Sequence, residues 1–153
     1  MTGSTIPSGQ SLGGSETAAI QVSEELVKQG HRVLLFCNTE QRHEANGVVY
    51  SPVGWVEGAQ PGTQFPKGLF DHIRTWPNDV LIVMRQPSLF QFDCPSKVNL
   101  LWQHDLATKT GPSNFGGVVW NIDRVLVPSD FMRKQYQQVH GGHRRQRAQD
   151  RTR

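Results

Sequence analysis

Residues 15–37, SETAAIQVSEELVKQGHRVLLFC, contain the change of secondary structure that decides the fold. Apolar side chains recur in the first half of this stretch at intervals of three and four residues: Ala19, Val22, Leu26 and Val27. That spacing predicts a helix with one apolar face, which Gly30 is expected to end in a left-handed conformation. The short apolar run Arg32–Cys37 then predicts a strand buried on both faces. Helix, glycine turn and buried strand together predict the second half of a βαβ unit.

Further apolar runs and helical spacings follow along the chain. Strands are predicted at residues 48–50, 79–84, 97–102 and 123–127. Helices are predicted at 65–76, with Leu69, Phe70 and Ile73 inward, and at 129–139, running through Phe131, Met132 and Tyr136, with Phe131 in the core. Stretches rich in Gly and Pro predict loops at 51–65 and 107–117. Buried strands alternating with helices predict an α/β fold, with a Rossmann-like parallel sheet and helices on both faces.

The chain of 153 residues has the length of one domain. Residues 1–10 are predicted to be a loop or disordered lead, and residues 11–139 the domain itself. The net charge of +3 comes from residues 140–153, which hold five arginines and one aspartate. Because this tail lacks apolar residues apart from Ala148, it is predicted to be disordered. It also lacks aromatic residues for base stacking, so no nucleic-acid partner is expected.

The two cysteines, Cys37 and Cys94, are far apart in the sequence and form no metal-binding or disulfide pattern. They are predicted to be free thiols in a reducing compartment. No apolar run is long enough to span a membrane, and the polar start does not resemble a signal peptide. The expected location is the cytoplasm, with peripheral attachment to a membrane as an alternative.

The loop Gly13-Gly14-Ser15-Glu16 opens the first predicted helix. Paired glycines let a ligand approach the backbone, and free N–H groups at a helix start bind phosphate. The alternative is a tight turn in which Ser15 caps the helix. The three-glycine pattern of nicotinamide-binding enzymes is absent. A complete fold of this class has a central strand before this loop, and residues 1–12 contain few apolar residues, so that strand is expected to be missing.

Polar residues follow two of the predicted strands directly. Arg85 follows residues 79–84, and His104-Asp105 follows residues 97–102. Ligands bind at the carboxyl ends of parallel strands, so Arg85 can pair with a phosphate or carboxylate, and Asp105 can orient His104 toward a sugar hydroxyl. The alternatives are a surface salt bridge for Arg85 and a turn cap for the His-Asp pair. At the last predicted helix, Ser129 or Asp130 is expected to be the cap.

Three segments, in order, resemble the amino-terminal domain of family-4 glycosyltransferases with the GT-B fold. The first is Leu12-Gly13-Gly14-Ser15-Glu16 with its helix and the turn Gly30-His31-Arg32-Val33. The second is Trp102-Gln103-His104-Asp105-Leu106, and the third is Val125–Phe131. The resemblance covers residues 11–139.

The resemblance implies two Rossmann-like domains and transfer of a sugar from a nucleoside-diphosphate sugar, with retention of configuration. It implies no metal or other cofactor. Gly13 and Gly14 would lie near the donor diphosphate and the acceptor, which is a glycan, lipid or protein. His104 would contact donor-sugar hydroxyls. Most donor contacts come from a second domain that the sequence lacks, so this chain is expected to be a fragment without activity alone.

Two alternatives to a transferase fragment stay open. One is a small Rossmann-type module that binds a nucleotide or sugar and acts with a partner chain, which could supply the second domain. The other is an NAD-dependent oxidoreductase, against which the missing third glycine and missing first strand both count.

Overall fold

The computed structural model describes residues 13–58, 64–76, 78–92, 94–107 and 117–140. They form a mixed α/β structure, and the chain groups into two compact units that meet in sequence between His72 and Ile73. The lead at 1–10 and the tail beyond His140 lie outside the described residues, as does most of the loop predicted at 107–117. The single domain at 11–139 stays a prediction.

The described helices are α1 (Gly14–Lys28), α2 (Lys67–Thr75) and α3 (Asp130–His140). The described strands are β1 (Leu34–Cys37), β2 (His43–Ala45), β3 (Val48–Pro52), β4 (Trp55–Glu57), β5 (Gln64–Pro66), β6 (Asn78–Met84), β7 (Ser96–Trp102) and β8 (Arg124–Leu126). Short 3-10 helices lie at Pro87–Gln91 and Val119–Asn121. No described helix is long and apolar enough to cross a membrane.

Helix α1 begins and ends on glycines. Gly13 is its N-cap, and Ser15 lies inside the first turn, so the prediction that Ser15 caps the helix is wrong. At the other end, Gly30 has φ of 91°. The Gly30 N–H donates to the Val27 carbonyl at 2.9 Å, and the His31 N–H donates to the Leu26 carbonyl at 3.0 Å. These two bonds are a Schellman motif, which confirms Gly30 as the helix stop.

The inward face of α1 differs from the predicted one. Ser23 is the buried residue of the helix, whereas Val22 is exposed. Ala19, Leu26 and Val27 are partly buried, as expected. Because Val22 and Ser23 are 100° apart around the helix, the buried stripe passes through the serine rather than the valine.

The first unit contains two small sheets. In one, β1 pairs in parallel with β3, and β2 pairs antiparallel with β3. In the other, β4 and β5 are antiparallel. The prediction of a loop over 51–65 is therefore wrong, because β3 extends to Pro52 and most of the remaining described residues pair as β4 and β5. Every residue of β1 is only partly buried, so the prediction that this strand is buried on both faces is also wrong. Among the described strands β1 pairs with β3 alone, and it therefore lies at the edge of the sheet.

The second unit is built on the parallel sheet β6-β7-β8. One face of that sheet packs into a core whose buried members are Val83, Phe90, Leu101, Ala107, Val118, Ile122, Met132 and Tyr136. In α3, the Ser129 Oγ accepts a bond from the Met132 N–H at 3.3 Å, which confirms Ser129 as a cap. Phe131 is 63% exposed, so its predicted inward position is wrong, since the core-facing stripe runs through Met132 and Tyr136. His140, predicted to start the tail, is the buried last residue of α3.

The other face of the β6-β7-β8 sheet is mostly apolar and partly exposed, with the exposed Arg124 of β8 opposite Leu100. Residues that lie opposite one another in register share this face: Val80 with Val98, Ile82 with Leu100, Met84 with Trp102, and Trp102 with Leu126. Val80 is 51% exposed and Ile82 40% exposed. We call these residues the outer face. The parallel sheet confirms the coarse α/β prediction, whereas the prediction that both faces are buried is wrong for this sheet.

Candidate functional site

The carboxyl edge of the parallel sheet brings together three residues that the sequence singled out. Met84 at the end of β6 lies opposite Trp102 at the end of β7. Arg85 follows the first, and His104 and Asp105 follow the second, so all three are at the same edge. Ligands bind at this edge of open parallel sheets. The sequence prediction of where these residues lie in the sheet is therefore confirmed.

Arg85 forms an ion pair with Asp105. Its Nε donates to Asp105 Oδ2 at 2.9 Å and its Nη2 donates to Oδ1 at 3.3 Å, a two-point contact. The two side chains are 47% and 32% exposed. Arg85 also has φ of 62°, a left-handed conformation that is uncommon outside glycine. The sequence predicted that Arg85 pairs with a phosphate or carboxylate, or forms a surface salt bridge. In the structure its partner is the Asp105 carboxylate.

His104 is not oriented by a hydrogen bond to Asp105, because the carboxylate of Asp105 faces Arg85. That part of the prediction is wrong. The His104 ring instead lies against the Trp102 ring, with centroids 4.9 Å apart. Its Nε2 is buried and has no hydrogen-bond partner among the described residues. Buried polar nitrogens are nearly always paired in folded proteins, so this atom is a candidate for contact with a ligand.

Tyr136 of α3 contacts the same site, and the sequence gave no sign of this contact. Its hydroxyl donates to the backbone carbonyl of Asp105 at 3.0 Å. Helical spacing places Tyr136 on the inward side of α3, but no sequence pattern connects a helix residue to a carbonyl 31 positions earlier. The carbonyl end of Asp105 is therefore held by α3, and its carboxylate by Arg85.

Gln103 is a second residue that the sequence reasoning missed. It is fully buried at 0% exposure, and neither atom of its amide group has a partner among the described residues. Its backbone N–H donates to the Leu126 carbonyl at 2.9 Å, which continues the β7–β8 pairing. Two-residue alternation from the buried Leu101 would have indicated its inward direction. A buried amide group without a hydrogen-bond partner lowers the free energy of unfolding by about 1–3 kcal/mol.

The Gly13–Glu16 segment belongs to the first unit. The Glu16 carboxylate folds back over Gly13 and occupies the position where a Cβ on that residue would lie. Outside its chain neighbours and the backbone of its own helix, a Cβ on Gly14 would meet no described atom within 4 Å. The helix start therefore has an open backbone at Gly14, and its positive end already faces the negative charge of Glu16.

In the part of the chain that the structure describes, the remaining titratable groups do not form a second cluster of ligands. Burial, followed by the Glu24 and Cys37 side chains, raises the pKa of the Tyr50 phenol. Burial and the positive charge of Arg42 lower the pKa of His72. Cys37 and Cys94 form no disulfide bond within the described residues, in agreement with the prediction. Within the described ranges, no group of three or more His, Cys, Asp or Glu residues could hold a metal ion.

Comparisons with known protein families, with curated proteins and with solved structures found nothing that matches this chain.

Proposed function

We propose that this chain is the acceptor-side part of a retaining glycosyltransferase that uses a nucleoside-diphosphate sugar. The observation that carries this proposal is the buried Nε2 of His104, which has no hydrogen-bond partner in the described part of the chain and lies at the carboxyl edge of a parallel sheet. An imidazole nitrogen at that edge can exchange a hydrogen bond with a sugar hydroxyl. The order of motifs in the sequence, from Gly13-Gly14 to Val125–Phe131, is the second support.

The Gly13-Gly14 helix start would take the donor diphosphate. Its open side at Gly14 admits a ligand, and the free N–H groups of the first turn favour an anion. Because the Glu16 carboxylate folds over Gly13, a diphosphate there would compete with a like charge. Binding would therefore require the flexible Glu16 side chain to swing away. The proposal assigns no metal to the diphosphate contact at Gly14 or to the sugar contact at His104.

The test is a titration of the chain with UDP-glucose, GDP-mannose and NAD, followed by the NMR signals of its backbone amides and histidine rings. A nucleoside-diphosphate sugar is expected to shift the His104 ring signals of the second unit, and a shift of the Gly14 amide of the first unit is a separate test of the phosphate contact. His104→Ala is expected to weaken sugar-nucleotide binding by about tenfold, the worth of one hydrogen bond in a site. His31→Ala, a change at an exposed turn residue, is the matched control.

Binding of NAD in preference to both sugar nucleotides would contradict the proposal and favour the oxidoreductase. Equal affinity of His104→Ala and the unchanged protein would remove His104 from the site. In the family that the sequence resembles, a second domain makes most donor contacts. We therefore propose that sugar transfer depends on such a domain.

The second candidate is a binding module of the same fold class that acts with a partner chain. The observation in its favour is the outer face, on which the apolar side chains of Val80 and Ile82 are about half exposed. Exposed contiguous apolar surface marks interaction sites on proteins. A stable complex with another chain, together with nucleotide-sugar binding but no transfer in the complex, would favour this candidate.

A further inference from the structure

We infer that Arg85 and Tyr136 are positioning residues for His104, which act through Asp105 rather than on a ligand; the inference rests on the proposed function only in taking His104 as the ligand contact. The sequence left Arg85 and Asp105 as possible ligand contacts. The geometry points to different roles, in which His104 contacts the ligand, and Arg85, Asp105 and Tyr136 hold His104 in place.

Asp105 is held at both of its polar ends. Its carboxylate accepts two hydrogen bonds from Arg85, at 2.9 and 3.3 Å. Its backbone carbonyl accepts the Tyr136 hydroxyl at 3.0 Å. The two donors come from the end of β6 and from the middle of α3. Asp105 therefore joins two elements that are distant in sequence, and its backbone has little freedom to move.

Each of the two holding residues is fixed in turn. Tyr136 is 7% exposed and belongs to the buried core with Leu101 and Met132. The Arg85 N–H donates to the Trp102 carbonyl at 3.0 Å, which ties its backbone to the end of β7. The left-handed conformation of Arg85 is one that a side chain disfavours, and such conformations persist where the surroundings determine them.

His104 needs this support because its buried Nε2 has no hydrogen-bond partner within the described residues. Its ring contacts the Trp102 ring, and its backbone lies between β7 and the held Asp105. A ring without that hydrogen bond takes its direction from packing and from its backbone. Preorganisation of this kind is what sites require, since small displacements of a contact group lose much of its effect.

The test uses the ring-proton NMR signals of His104 in the free protein, assigned by their loss in His104→Gln. The Trp102 ring, 4.9 Å away, imposes a ring-current shift on these signals. Tyr136→Phe keeps the buried ring and removes the hydroxyl, and Arg85→Lys replaces the two-point contact with a single charge. Both variants are expected to move the His104 signals toward the values of an unstructured histidine and to speed amide exchange at Asp105.

Tyr50→Phe is the matched control, because the Tyr50 hydroxyl is buried but has no partner among the described residues. It is expected to leave the His104 signals unchanged. The double variant Arg85→Lys with Tyr136→Phe is expected to shift them by less than the sum of the single changes, since both act on Asp105. The His43 signals, from a ring stacked 5.1 Å from Tyr50, report whether the first unit stays folded.

Unchanged His104 signals in both single variants would overturn the inference. If Tyr136→Phe unfolded the second unit, Arg85→Lys would still decide the matter, since the Arg85 side chain is 47% exposed and lies outside the core. The readout uses no ligand. A failure to bind sugar nucleotides would therefore contradict the proposed function and leave this result standing, and the reverse holds as well.

Discussion

At the scale of single residues, His72 couples the stability of the protein to pH. Its ring lies 5.4 Å from that of Phe36, and burial, with the positive charge of Arg42, lowers its pKa. A lowered pKa in the folded state means that the unfolded chain takes up the proton first as the pH falls. The stability contributed by neutral His72 is therefore full above about pH 6.5, the ordinary histidine value, and is lost as the pH falls through the folded pKa.

We expect the unfolding temperature to fall between about pH 7.5 and about pH 5.5, and to fall less steeply in His72→Gln. Thermal unfolding followed by circular dichroism at several pH values measures this. The absolute stability of the variant is not the readout, because the change also removes the contact with Phe36. His31→Gln, at an exposed position, should keep the original slope. Identical slopes for His72→Gln and the unchanged protein would show that His72 does not contribute.

At the scale of secondary-structure elements, the two ends of α1 differ in whether glycine is required: the conformation at Gly30 favours glycine, and the conformation at Gly14 does not. Gly30 holds φ of 91°, so Gly30→Ala places a side chain in a disfavoured conformation. Gly14 is helical, and a Cβ there meets no atom of the described residues beyond its own helix within 4 Å, so Gly14→Ala adds helix propensity without a clash among them. We expect Gly30→Ala to lower the free energy of unfolding by about 1 kcal/mol, and Gly14→Ala to raise it by about 0.5 kcal/mol.

Urea unfolding of the two alanine variants, side by side, measures the difference. Gly14→Ala also tests the proposed diphosphate contact, since a methyl group there would narrow the approach to the backbone. It should weaken sugar-nucleotide binding while it stabilises the fold. A stabilised variant with unchanged binding would show that the ligand does not approach Gly14, and a Gly30→Ala variant of unchanged stability would contradict the account of the helix end.

The elements differ in how far the sequence alone could predict them. Local signals sufficed for the end of α1 at Gly30 and for the cap of α3 at Ser129, because neighbouring residues decide such features. The hairpin β2–β3 was missed although it carries a signal: Asn46 and Gly47 both have positive φ, as a tight two-residue turn requires. The Tyr136 contact with Asp105 depends on tertiary packing, which no local pattern encodes.

The partial burial of strands and helix faces was the other feature that local sequence patterns could not predict. The run from Val80 to Met84 reads as a strand buried on both faces, yet alternate residues of it are exposed on the outer face. An apolar composition indicates that a strand face can be buried, but it does not indicate which element covers that face. The same limit applies to Phe131, whose apolar side chain follows the cap of α3 but points away from the core-facing stripe.

At the scale of the whole molecule, the outer face is an exposed apolar surface that self-association could bury. Val80 and Val98 lie directly opposite one another on β6 and β7, and both are exposed. The double change Val80→Lys with Val98→Glu would place opposite charges across the strands, a favourable cross-strand pair. Because these side chains are already in contact with solvent, we expect the free energy of unfolding to change by less than about 0.5 kcal/mol, and self-association to decrease.

Light scattering against protein concentration measures association, and urea unfolding measures stability. Leu101→Ala is the contrasting variant, because Leu101 is fully buried on the opposite face of β7 and its truncation should cost about 2–5 kcal/mol. If the charged pair destabilised the protein as much as Leu101→Ala does, the outer face would be covered in solution. A face covered in that way would strengthen the case for a partner chain, whereas a soluble and stable charged variant would indicate that the second unit folds with this face open to solvent.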